Sequence, residues 1–228
     1  MTILISILLT LSNFVQATPA CSTTPQKIAG IEEICDEALP KCIAEVGGAE
    51  KIAATLNDSK NKVDTDELFT RLIFAESLAS GCNINDPEIF ESIAWTLRNR
   101  LARKKMYGGN NDDRSVAFKP QQFSSSTGPC DVSKRTEFFC PTKDKEFEAV
   151  WLKASQAWAK TKTAKNPIPT VRHYFFSKHF DKSAPKGKKF PDGTIGCQHY
   201  KGIPASWEKP GDKVKSIGTC ATFHNVKE

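Results

Sequence analysis

Between Thr65 and Ala79 the chain reads TDELFTRLIFAESLA, a stretch whose helical wheel is apolar on nearly every side. At 100° per residue Leu68, Phe69, Leu72, Ala75 and Ala79 share one arc, and Phe74 lies opposite among Glu67, Thr70 and Ser77. A helix of that kind is expected to be covered on most of its sides. Asp64 is placed to cap its start, and Ser80-Gly81 to end it. Glu76 falls inside the apolar arc, between Leu72 and Phe69. Burial disfavours the ionised form of a carboxyl group, and a carboxyl held protonated near neutral pH is what a general acid needs. A structural ion pair with Arg71 or Arg98 answers the same pattern. The local sequence leaves both readings open.

The second helix has clear punctuation. Asp86 caps, Pro87 suits the first helical position and Glu88 the positive end of the helix dipole. Ile89, Ile93, Leu97 and Leu101 recur every four residues on one face, while Arg98, Arg100, Arg103, Lys104 and Lys105 crowd the far end, as a solvated basic face would. A long Gly-, Asn-, Asp- and Ser-rich loop is expected after it, YGGNNDDRSVAFKPQQFSSSTGPC. A third helix is expected over about Lys143 to Thr161, with Phe147, Val150, Trp151, Ala154 and Trp158 inward. Beyond Asn166-Pro167 the chain is Pro-, Gly- and Lys-rich around HYFFS, a short aromatic strand or helix. The fold class expected is mainly α, with disulfide-stapled loops and at most a small β element.

The first seventeen residues, MTILISILLTLSNFVQA, carry no charge, and their apolar core has the length of a signal-peptide h-region, too short for a membrane span. Cleavage is expected after Ala17, which makes the protein secreted or periplasmic. The expected organisation is a signal peptide over 1–17, a helical extension over 18–63 and one catalytic domain over 64–228. Eight cysteines in an exported chain read as disulfides. Short loops favour Cys35–Cys42 and Cys130–Cys140, and Cys197–Cys220 would staple the C-terminal segment, although spacing alone does not settle connectivity. No CxxC occurs and the four histidines show no helical i,i+4 pair, so neither metal nor cofactor is expected. The net charge of +6 favours anionic polymers or membrane surfaces without choosing among them.

Five short segments in order carry a resemblance. Phe74-Ala75-Glu76 is followed by Asn99-Arg100, then by Pro120, Gln122, Phe123 and Ser124, then by His173, Tyr174 and Phe175, and last by Trp207, Ile217 and Gly218. From about Leu68 to Phe223 this series resembles the SleB-type cell-wall hydrolases of bacteria. The resemblance implies a lysozyme-like fold and cleavage of the β-1,4 bond between N-acetylmuramic acid and N-acetylglucosamine, often by lytic transglycosylation. It implies Glu76 as the catalytic acid, with Gln122, Phe123, Ser124, Tyr174 and Asn99 around the substrate. The partner implied is the peptidoglycan glycan strand, bound by a monomer with no nucleic acid and no membrane insertion. Two positions depart from the family pattern: Ser80 stands where a second Glu is usual, and Cys220 where a His is common.

A glycosidase commonly pairs two carboxylates, but Asp86, Asp112 and Asp113 read as cap or turn residues. One carboxyl suffices if the muramic C6 hydroxyl is the nucleophile. Alternatives of other kinds are a hydrolytic lysozyme acting on a modified, for example deacetylated, glycan, and a wall-binding module of the same fold with little activity. A secreted nuclease would exploit the charge but shows no His-containing motif.

Overall fold

The computed structural model describes residues 54, 62–119, 122–123, 137–138, 141, 145–176 and 210–226. The expected signal peptide, almost all of the helical extension, Ser124, Trp207, and the pairs Cys35–Cys42 and Cys130–Cys140 lie outside these residues.

Helix α1 spans Thr65–Ser80, its first turn held by the Asp64 carboxylate, which accepts from the Glu67 amide at 2.8 Å. Gly81 ends it at φ 74°, a left-handed conformation that suits glycine. Helix α2, Pro87–Leu101, starts on Asp86, which accepts from the Glu88 amide. Short helices α3 (Lys104–Gly108) and α4 (Ser115–Phe118) follow. A 3₁₀ turn at Lys145–Phe147 leads into α5, Glu148–Thr163. Strands β1 (Val171–Phe176), β2 (Pro210–Ile217) and β3 (Ala221–Val226) form one antiparallel sheet in the order β1-β3-β2. The described part is thus largely helical with a small sheet. Among the described residues no helix is long and apolar enough to cross a membrane.

Helix α1 is buried along most of its length and on the side opposite the apolar arc as well, and α5 packs on both α1 and α2. Phe74 meets Trp151 edge-on at 5.8 Å, and Phe69 meets Trp158 at 5.0 Å. Burial extends to the residues opposite the apolar arc: Glu67, Thr70 and Ser77 are enclosed as well. Arg71 makes this possible, because its Nε donates to Glu67 at 2.8 Å and a terminal nitrogen to the Phe138 carbonyl at 3.1 Å. A buried charge is tolerated when it is paired and hydrogen-bonded.

Two expectations need correction. Part of the long loop is folded: α3 and α4 pack together, with the Asn110 and Asp112 carboxamide and carboxylate oxygens accepting amides two residues on and Lys104 paired to Asp113 at 2.7 Å. The polar composition hides these short helices, and the Asn110 and Asp112 side chains hold the turn between them. The C-terminal segment, expected to hold few or no strands beyond HYFFS, forms the β2–β3 hairpin around Gly218, at φ 49°. Its register shifts between Pro210 and Lys213 and again between Lys213 and Lys215. Those irregularities erase the alternation by which a strand is read, leaving Val214 exposed.

Cys220 pairs with Cys82, not with Cys197. The bond ties the residue after the α1 cap to the turn of the hairpin, across 138 positions of sequence. Spacing favoured the shorter loop, whereas the fold brings distant ends together. Replacing Cys82 and Cys220 by serine is expected to lower unfolding stability by about 2–5 kcal/mol in a denaturant titration. A smaller loss would mean that the hairpin is held by packing alone.

Candidate active site

Glu76 lies on the fourth turn of α1 and is 2% exposed. Its carboxylate Oε2 accepts a hydrogen bond from the Tyr174 hydroxyl at 3.0 Å. The arginines that the sequence offered as partners are engaged elsewhere: Arg71 on Glu67, and Arg98 with its guanidinium 5.5 Å from the centre of the Trp158 ring. Tyr174 comes from β1, which reaches α1 only because the sheet packs across the end of α2. Its ring is tilted against Phe176 at 5.1 Å and Phe223 at 5.8 Å, which fixes where the hydroxyl points.

Arg100 holds this arrangement. It was expected on a solvated face, but it is 6% exposed. Its Nε donates to the Arg172 carbonyl at 2.8 Å and a terminal nitrogen to the Gln122 carbonyl at 3.0 Å. Its planar group lies 4.9 Å from the Phe123 ring centre, 5.5 Å from Tyr174 and 5.6 Å from Tyr107. One side chain thus joins the end of α2 to β1 and to the segment at Gln122. The available signal was its place three residues beyond Leu97, beside the apolar stripe of α2.

The other sequence-designated residues take these positions. Asn99 is buried, and its amide nitrogen donates to the carbonyls of Ile168 and Val171 at 2.8 and 2.6 Å. Its oxygen accepts from Asn166 at 2.6 Å. Asn99 therefore fastens the approach to β1, while Arg100 grips the Gln122 segment. Phe123 is 1% exposed beneath Arg100, the position of a core anchor. Gln122 is half-buried, with its backbone on Arg100. Asp86 is a helix cap, and Asp112 and Asp113 support the turn before α4. Ser80, at the place of the family's usual second Glu, serves the helix end: its hydroxyl donates to the Ser77 carbonyl at 2.5 Å and accepts from the Cys82 amide at 2.9 Å. Among the described residues no group of three potential metal ligands comes together.

His173 faces His224 across the β1–β3 pair. Burial lowers its pKa from 6.5 to about 3, helped by the positive charges of Arg100, His224 and Arg172. Its Nε2 is shielded and has no hydrogen-bond partner among the described residues.

No family model matches the chain, and no curated protein and no solved structure matches it.

Two predictions follow from this geometry. Arg100→Lys keeps the charge but cannot span two carbonyls in one plane, so stability is expected to fall by about 1–3 kcal/mol. Equal denaturation midpoints for the two proteins would contradict the bridging role. Because the unfolded His173 takes a proton below pH 6.5 and the folded one only near 3, the native state loses stability as pH falls through that window. The slope due to this residue is at most about 1.4 kcal/mol per pH unit. His173→Gln is expected to flatten the slope in urea titrations between pH 7.5 and 4; an unchanged slope would place the acid sensitivity elsewhere.

Proposed function

We propose that the protein is a peptidoglycan-cleaving glycosidase with a lysozyme-like domain, and that Glu76 is its single catalytic carboxyl. The observation that carries the reading is the seating of Glu76: 2% exposed in a helix buried along most of its length, with one carboxylate oxygen held by the Tyr174 hydroxyl at 3.0 Å. A donor on Oε2 orients the carboxyl group for proton exchange with substrate. The ordered segments that resemble the SleB-type hydrolases support the same assignment, as do the local roles of Asp86, Asp112 and Asp113, which leave Glu76 to act alone.

In this mechanism the protonated Glu76 gives its proton to the glycosidic oxygen as the bond from that oxygen to the muramic C1 breaks. Positive charge develops at C1 and the ring oxygen. The carboxylate then takes the proton of the muramic C6 hydroxyl, whose oxygen closes on C1. The products are a 1,6-anhydro sugar and a free N-acetylglucosamine hydroxyl. No water is consumed, and Glu76 returns to its starting state. The hydroxyl of Tyr174 stabilises the carboxylate between the two transfers, while Arg100 behind the ring keeps the strand in place.

Export through the N-terminal segment and a net charge of +6 suit an enzyme that works on an anionic wall polymer. Digestion of purified peptidoglycan followed by mass spectrometry tests the proposal. Wild type is expected to release anhydro-muropeptides, and Glu76→Gln to do so at least about a hundredfold more slowly while melting at a similar temperature. Products with ordinary reducing ends would replace transglycosylation by hydrolysis. Equal wall binding by both proteins, with no cleavage by either, would make the domain a binding module.

A further inference from the structure

Tyr174 is held from two sides. Toward the start of β1, Asn99 grips the carbonyls of Ile168 and Val171, and Arg100 that of Arg172, so this end of the strand is fastened to α2. Toward the other end, Tyr174 pairs with Phe223, and Phe176 with Ala221, the residue that follows Cys220. Cys220 is bonded to Cys82, with the two Cα atoms 5.3 Å apart. Cys82 comes directly after the Gly81 cap of α1, its amide donating to the Ser80 hydroxyl at 2.9 Å. The Cys220 amide is likewise fixed, donating to the Ile217 carbonyl at 3.1 Å across the hairpin turn.

These links form a closed circuit. It runs from Glu76 along the end of α1 to Cys82, through the disulfide to Cys220, and along β3 to Phe223. From Phe223 it crosses 5.8 Å to the Tyr174 ring and returns to Glu76 by the 3.0 Å hydrogen bond. The disulfide is the link that thiol chemistry opens. Helix α1 is fixed by its packing on α2 and α5, so opening the bond frees the sheet and not the helix. Asn99 and Arg100 keep the start of β1 on α2 in either state. The fold therefore outlasts the bond, while Tyr174 loses the support on its far side. Both cysteines are half-buried, which leaves each partly open to a small thiol.

We propose that Cys82–Cys220 is a redox gate on the Glu76–Tyr174 contact. As the dithiol the chain is folded with the contact loosened; closing the bond draws β3, and with it Tyr174, onto Glu76. Closure takes two protons and two electrons from the two thiols. The electrons pass to a partner disulfide, which is reduced to two thiols. A dithiol reverses the exchange and leaves as its own disulfide. That the gate sets catalytic activity rests on the functional reading above; that it sets the contact does not. A chain made in a reducing compartment thus stays at low activity until it meets an oxidising one.

Two measurements on the full mature chain test this. In the first, the coupling between Glu76 and Tyr174 is read from unfolding stability in a double-mutant cycle, Glu76→Gln against Tyr174→Phe. The cycle is built on wild type and on the open background, Cys82→Ser with Cys220→Ser. Coupling is expected in wild type and is expected to fall by roughly half or more in the open background. Equal coupling in the two, no coupling in either, or an open variant that does not fold overturns the gate whatever the activity of Glu76. In the second, wall digestion is followed in buffers of graded reduced-to-oxidised dithiothreitol, with Cys82 and Cys220 read by alkylation and mass spectrometry. Wild-type kcat is expected to fall about tenfold as the two thiols appear, with KM little changed, because a misplaced donor is missed in the transition state. The open variant is expected to start at the lower rate and to ignore the buffer. A rate that falls while the bond is still closed, or an open variant as fast as oxidised wild type, overturns the gate. Cleavage by no form overturns its effect on catalysis and not its effect on the contact, which the coupling cycle decides alone.

Discussion

The site hangs on one guanidinium. Arg100 sits at the end of α2, where the chain turns away, and connects two backbone carbonyls seventy-two and twenty-two residues further on. Its plane is also the common floor of three aromatic rings, Tyr107, Phe123 and Tyr174. A charge can be held in such a place because the guanidinium is delocalised and weakly hydrated, stacks on aromatic faces and has donors along its edge. A lysine there would present one compact, strongly hydrated ammonium to the same three rings.

The second constraint is the burial of α1 along most of its length. It gives Glu76 an environment with little water, and it forces the chain to neutralise what else the helix carries. The Glu67–Arg71 pair does this one turn and a half before Glu76, Asp66 in the first turn is paired with Lys162, and Glu76 faces the Tyr174 phenol. Cys82–Cys220 then anchors the sheet to the end of the same helix. The sheet that carries the hydrogen-bond donor is thereby held at two places, to the end of α1 by the disulfide and to the end of α2 by Asn99 and Arg100.

The same crowding gathers positive charge. Bringing β1 against the end of α2 lets Arg103 act on Arg172, and Arg100, His224 and Arg172 on His173.

Much of this architecture was legible residue by residue. Capping by Asp64 and Asp86, the stop at Gly81 and the inward stripe of α2 follow from local hydrogen bonding and a 3.6-residue period, so they need no knowledge of distant segments. The inward position of Glu76 came from the same wheel. What surrounds it did not. The β2–β3 hairpin was hidden by its register shifts, the folded half of the long loop by its polar composition, and Arg100 by a run of basic neighbours that read as a solvated face. The pairing of Cys82 with Cys220 and the approach of Tyr174 to Glu76 join residues 138 and 98 positions apart. Such contacts depend on which segments the whole core brings together. The sequence by itself determined where α1 ends and where α1 and α2 begin, and that one carboxylate of α1 lies within its apolar arc; the tertiary structure alone decided that a tyrosine meets it, because only packing closes loops of that length.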